Sequence, residues 1–236
     1  RPLARGLRRG GDVAAGAARL VPLTRKEVPV NIAAADELLT TTRSVRKRLD
    51  LKRPVAPEVL ERCIEVALQA PTGSNAQGWS FIVVTDAAKR KVIADLYRTA
   101  FEAYRQMQPS LQPAYAEDDL RAKQLPRDVD SAQYLADHLH EVPVHVIACI
   151  EGRVEHAGAL AQASVYGSIL PAVWSLMLAL RARGLGSAWT SLHIMHEGEV
   201  AKLLGIPETV TQAALLPAAY FSGGSLKPAK RLPAPE

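Results

Sequence analysis

The run Ala70-Pro71-Thr72-Gly73-Ser74-Asn75-Ala76-Gln77-Gly78-Trp79 concentrates hydrogen-bonding groups in a short space. Hydroxyls, two carboxamides and a backbone loosened by Gly and Pro give it many donors and acceptors. Such a loop suits a flat ligand rich in heteroatoms. An ordinary helix-to-strand connection has the same composition. A second group, Thr41-Thr42-Arg43-Ser44-Val45-Arg46-Lys47-Arg48, is basic. Guanidinium groups pair bidentately with phosphate oxygens and a hydroxyl adds a neutral donor. A solvated charged face is the alternative. Further on come Gly184-Leu185-Gly186-Ser187-Ala188-Trp189-Thr190-Ser191 and the basic end Lys227 to Arg231. As a nucleotide motif this Gly-x-Gly is weak, because it follows a helical pattern instead of opening one.

Histidine and cysteine offer less. His138, His140 and His145 form no convincing ligand set, and His193-x-x-His196 lacks a third ligand nearby. Cys63 and Cys149 sit far apart inside apolar patterns, as buried thiols in a reducing compartment do. A cytoplasmic setting is therefore expected. No side chain stands out as an obligatory acid, base or nucleophile, and none is assigned as catalytic.

The chain has 236 residues, enough for one domain with an extension, and 48% hydrophobic residues provide for a sizeable core. The net charge of +5 lies wholly in residues 1–30; from residue 31 onward the two signs balance. A nucleic-acid-binding face is thus not expected on the domain, 31–236. The basic extension, 1–30, lacks the apolar core of a secretory signal. Arg-rich and acid-poor, it resembles a transit peptide or an arm that wraps a neighbour.

Periodicity supplies the elements that must position these groups. A helical pattern over Asn31–Leu39 precedes the basic segment. Pro57 and Glu58 open a second helix with Leu60, Cys63, Ile64, Ala67 and Leu68 on one face, and Pro71 ends it. Strand 80–84 follows, then a helix from Thr85-Asp86 whose apolar side includes Ile93, Tyr97, Phe101 and Tyr104. From Gln106 to about Asp130, three prolines and an acidic run predict a long loop of the kind that covers a site. A short helix over Ala132–His140 leads to a central strand, 144–150. Ala159 to Leu180 carries no charge, long enough to raise a membrane span. Polar residues and Pro171 interrupt it, so a helix buried in an oligomer, bent or broken at Pro171, is expected instead. Strands 187–191 and 212–220, with helix 197–204 between them, complete an α+β sandwich around one mixed sheet flanked by helices.

The Ala70–Trp79 loop ahead of its strand resembles the flavin-contacting loop of the nitroreductase family of FMN-dependent oxidoreductases. Gly78 stands where that family usually has Pro. Arg43-Ser44-x-Arg46 is similar to its first FMN motif, with Thr42 replacing a leading arginine. Gly184 to Ser187 resembles its Gly-Leu-Gly-Ser turn, Leu204 to Pro207 its Leu-Gly-Ile-Pro, and Arg231 its C-terminal phosphate contact. The resemblance covers about residues 36–233. It implies a nitroreductase-like fold and a homodimer with the flavin between subunits. It also implies non-covalent FMN, NADH or NADPH as donor, and ping-pong transfer to a nitroaromatic, quinone or related small-molecule acceptor, with neither nucleic acid nor membrane as a partner. Cofactor contacts are implied at Thr42, Arg43, Ser44, Arg46, Pro71, Thr72, Gly73, Ser74, Asn75, Gln77, Trp189, Thr190, Ser191 and Arg231. Reductive dehalogenation, flavin fragmentation and flavin binding without turnover are compatible with the same motifs.

Overall fold

The computed structural model describes residues 30–111, 115–116 and 119–232. The basic extension lies outside them, Val30 apart. In chain order the elements are α1 (Ile32–Thr41), α2 (Pro57–Ala67), β1 (Trp79–Val84), α3 (Ala87–Leu111), α4 (Leu120–His138), β2 (Val144–Glu151), α5 (Ala159–Ala182), β3 (Leu185–Ser187), α6 (Glu197–Leu204) and β4 (Val210–Tyr220). Local chemistry marks several ends. The Asn31 side chain accepts from the Ala34 N–H at the start of α1. Pro57 and Glu58 open α2, and Gly205, with φ of 71°, closes α6 in the left-handed region.

The strands form one sheet in the order β1-β2-β4-β3. All three strand pairings are antiparallel. The expected mixed sheet is corrected to this extent: its parallel element is a lone bridge between Ser44 and Ser187. Hairpin-like antiparallel pairing suits strands whose neighbours run back alongside them, and only the basic segment enters beside β3 in the same direction.

Side-chain alternation along β2 divides the core in two. Val144, Val146, Ala148 and Ile150 face α2 and α5, while Ile147 and Cys149 face α3, α4 and α6. The register slips between Ala148 and Cys149, which pair with Ala214 and Gln212, leaving Ala213 as the extra residue of a bulge. The molecule is thus a sheet between two helical layers.

Four expectations need correction. The region 106–130 is mostly helix: α3 continues to Leu111 and α4 begins at Leu120, with the Asp119 side chain accepting from the Arg121 N–H. Pro126 removes one backbone donor inside α4 and makes the sequence read as loop. Tertiary contacts override it, since Leu135 and Ala136 enter the same core as Ile93, Tyr97 and Phe101 of α3. The expected short helix 132–140 is the end of α4 and the turn Leu139–Glu141. Helix α5 runs unbroken through Pro171. The strand expected at 187–191 is β3 at Leu185–Ser187, after which Thr190 alone pairs with Leu215.

Candidate functional site

The basic segment is fastened to the far end of the chain. The Val45 N–H donates to the Ser187 carbonyl at 2.8 Å. Gly186 makes this approach possible, because a Cβ there would lie 2.8 Å from the Val45 Cβ. Arg43 Nη1 donates to the Lys227 carbonyl at 3.0 Å. Arg48 holds the arm that follows β4 by donating to the Ser222 and Gly224 carbonyls at 2.5 and 2.7 Å. Farther along this arm, Gln124 Nε2 of α4 donates to the Lys230 carbonyl at 3.4 Å. Arg231 is exposed there, with no hydrogen bond or ion pair among the described residues. The Thr42 hydroxyl is spent on α1, donating to the Leu38 carbonyl at 2.6 Å.

Beside Arg46 a cavity of ≈ 420 Å³ opens between α3, α4 and the turn after β3. Arg46, Trp189, Thr190 and Ser191 all line it, so four expected contacts share one space. Arg46 Nη1 donates to Ser131 Oγ at 3.2 Å, and Lys47 pairs with Asp130, which ties α4 over the basic segment. Thr190 Oγ1 donates to Tyr97 Oη at 3.2 Å. Tyr97 is 3% exposed. Burial pushes its pKa up, partly offset by the Thr190 bond and the Arg46 charge. Two hydroxyls make one bond between them, which leaves an O–H proton for a ligand.

The loop from Pro71 lies elsewhere. The Gly73 N–H donates to Ser168 Oγ of α5 at 2.9 Å. Ser74, Asn75 and Gln77 have φ of 52°, 54° and 51°. Such left-handed conformations cost a residue with a side chain on the order of 1 kcal/mol or more. Among the described residues the strained positions make local bonds, such as Gln77 N–H to Thr72 Oγ1 at 3.2 Å and Gln77 Nε2 to Asn75 Oδ1 at 3.0 Å. Ser74, Asn75 and Gln77 are exposed. Among the described residues no hydrogen bond joins this loop to Thr42–Arg46 or to Trp189–Ser191. Pro71 instead borders a groove between α1 and α5, beside Leu38 and Pro171. One chain therefore gathers the basic segment and the 189–191 turn, and holds the loop apart.

The sequence gives Tyr97, Phe101 and Tyr104 as an apolar helix face, yet all three line the cavity together with Arg105 and Asp128. The available signal was the phenol hydroxyls on that face, which need partners once buried. His193 is fully buried, with both ring nitrogens unpartnered, and burial lowers its pKa to about 4. His196 Nδ1 meets Glu199 at 3.2 Å instead. Among the described residues no group of three ligating side chains is placed to hold a metal ion.

The Nitroreductase family profile matches residues 39–220. The chain belongs to the nitroreductase family. A relative described as 5,6-dimethylbenzimidazole synthase, from Rhodospirillum rubrum, is 31% identical over 174 residues, covering 72% of this chain and 69% of its own length. An iodotyrosine deiodinase structure bound to FMN and 3-iodo-L-tyrosine is 25% identical at a TM-score of 0.56, covering 84% of this chain and 94% of that one. The FMN-dependent nitroreductase NfnB from Mycobacterium smegmatis, in complex with NADPH, shares the fold with a TM-score of 0.58 and 22% identity, over 80% of this chain and 88% of that one. Relatives of this nitroreductase-family chain thus carry different reactions on one architecture.

Proposed function

We propose that this chain is an FMN-dependent oxidoreductase that takes electrons from NADH or NADPH. It passes them to a small flat acceptor, such as a nitroaromatic or quinone, in a ping-pong cycle. The observation that carries this reading is the joining of Arg43 to the Lys227 carbonyl, beside a cavity lined by Arg46 and the Tyr97–Thr190 hydroxyl pair. Neither Arg46 nor Arg231 has a carboxylate partner among the described residues. Arginines left without a carboxylate partner fit a phosphate monoester. In this reading Arg43, Ser44, Arg46 and Arg231 hold the phosphate end, Trp189 to Ser191 border the ring, and Thr72 to Gln77 supply polar contacts from the other side. FMN, when bound, supplies the hydride and electron-transfer chemistry. The chain's part is to fix the phosphate, offer the leftover O–H of the hydroxyl pair and exclude water.

The 71–77 loop reaches such a site from a second copy of the chain. Its anchor is α5, which leaves Leu160, Leu170 and Trp174 exposed. This helix is long and apolar enough to cross a membrane by length and composition, and it packs against α2 and the sheet. Pairing the exposed face with itself removes apolar surface from water at roughly 25 cal/mol per Å². The free, buried Cys63 and Cys149 fit a cytoplasmic setting.

A second reading is favoured by the 31% identical relative: the flavin itself is the substrate and is broken down to a dimethylbenzimidazole. One experiment separates the two. The purified protein is loaded with FMN, reduced with NADPH or NADH, and offered acceptors first without oxygen and then in air. Reduction of the acceptor with FMN recovered intact supports the first reading. Loss of the flavin spectrum with a benzimidazole product supports the second. A protein that takes up no flavin overturns both.

A further inference from the structure

Resting on the flavoenzyme reading, we propose that the acceptor is an aromatic acid, its ring among the aromatic walls of the cavity and its carboxylate paired with Arg105. Tyr97, Phe101 and Tyr104 come from one face of α3 and Trp189 from the turn opposite, a lining suited to a flat ring. Three charged residues share that lining: Arg46, Arg105 and Asp128, a net of one positive charge. Among the described residues none of the three has an ion-pair partner, although other cations of α3 do. Lys91 and Arg98 share Asp95 at 2.7 and 2.9 Å.

Arg105 is nevertheless held in place. Its Nη1 donates to Gln133 Oε1 at 2.9 Å, and Gln133 Nε2 donates to Asp137 Oδ1 at 3.0 Å. Asp137 thereby fixes which way the amide faces, so Gln133 presents its oxygen to Arg105 and steers the guanidinium without neutralising it. Four of its five N–H groups remain available, enough for the two-pronged contact a carboxylate makes. In the flavoenzyme reading Arg46 serves the cofactor. Arg105 is then the cation left for the acceptor. Asp128 disfavours a second negative group, so a monoanion is preferred to a dianion.

The test compares 4-nitrobenzoate with methyl 4-nitrobenzoate, a pair alike in ring and nitro group and different in charge. Affinities of the FMN-loaded protein for benzoate and benzamide, measured by calorimetry, give a readout independent of turnover. The wild type is expected to favour each acid over its neutral partner by roughly tenfold or more, the scale of a hydrogen-bonded charge. Arg105→Gln is expected to abolish that preference, and Arg105→Lys to restore part of it. Equal affinities in the wild type, or equal losses for acid and neutral ligand in Arg105→Gln, overturn the proposal. FMN uptake, followed separately by quenching of flavin fluorescence, distinguishes this failure from failure of the flavin reading.

Discussion

The basic segment Thr42–Arg46 and the loop Thr72–Gln77 carry comparable hydrogen-bonding chemistry, but the fold treats them in opposite ways. The first is pinned by contacts from β3 and the C-terminal arm, with Val45 buried against Gly186. The second is exposed, strained at three positions and fastened to the fold chiefly through Ser168. A long-range network holds charge at a fixed point, as binding a phosphate requires. Strain without packing persists where something else completes the site, and in the proposed function that is a ligand and a second chain. On that proposal, one half of the site is built by folding and the other by assembly.

Acid should expose the difference most strongly. His193 underlies the cavity half and His145 lies in β2; both are fully buried, with pKa lowered by burial to about 4. Their ordinary value is about 6.5. Below pH 6.5 the unfolded chain takes up protons that the folded chain refuses, so stability falls as pH drops toward 4. The loss reaches about 3 kcal/mol per histidine. Denaturant midpoints at pH 7 and pH 4.5 measure it, and equal midpoints would mean that both rings reach water in the folded chain. The loop itself, residues 71–78, has no titrating side chain and should not share this dependence.

Gly186→Val attacks the built half directly. The new Cβ meets Val45 at 2.8 Å, and overpacking of this kind costs about 1–3 kcal/mol. The melting temperature should drop by several degrees and FMN affinity with it. An unchanged melt would show that β3 and the basic segment separate at little cost. Ser168→Ala is the milder counterpart in the loop half. It removes two hydrogen bonds, the one from the Gly73 N–H and the one to the Ser164 carbonyl within α5, about 1 kcal/mol each, and its effect should fall on FMN affinity and dimer formation more than on the melting of the chain. Light scattering across a dilution series reads the latter. A melt lowered as much as in Gly186→Val, with assembly intact, would reverse the assignment of the two halves.

Most elements were legible because their signals are local: Pro57-Glu58 at a helix start, the continuous apolar run of β2, the charge-free run of α5. Helix α4 was not, because Pro126 and a polar composition spell a loop and only packing of Leu135 and Ala136 supplies the helix. Of the site, the motifs were readable but their grouping was not. Nothing in Asn75 or Gln77 says that they lie apart from Arg46, and nothing in Tyr97 says that its hydroxyl meets Thr190 across 93 positions. Both facts arise from which face of the sheet each helix covers.

The phosphate is the sharpest point of the account. Arg46→Ala and Arg231→Ala are each expected to weaken FMN binding roughly 10- to 150-fold, the range of one charged hydrogen bond. Riboflavin, which lacks the phosphate, should weaken far less with the same changes. Fluorescence titration of both ligands against the wild type and the two variants measures this directly. A selective loss of FMN is the predicted result; equal losses for FMN and riboflavin, or no loss for either, would contradict a phosphate held by these arginines.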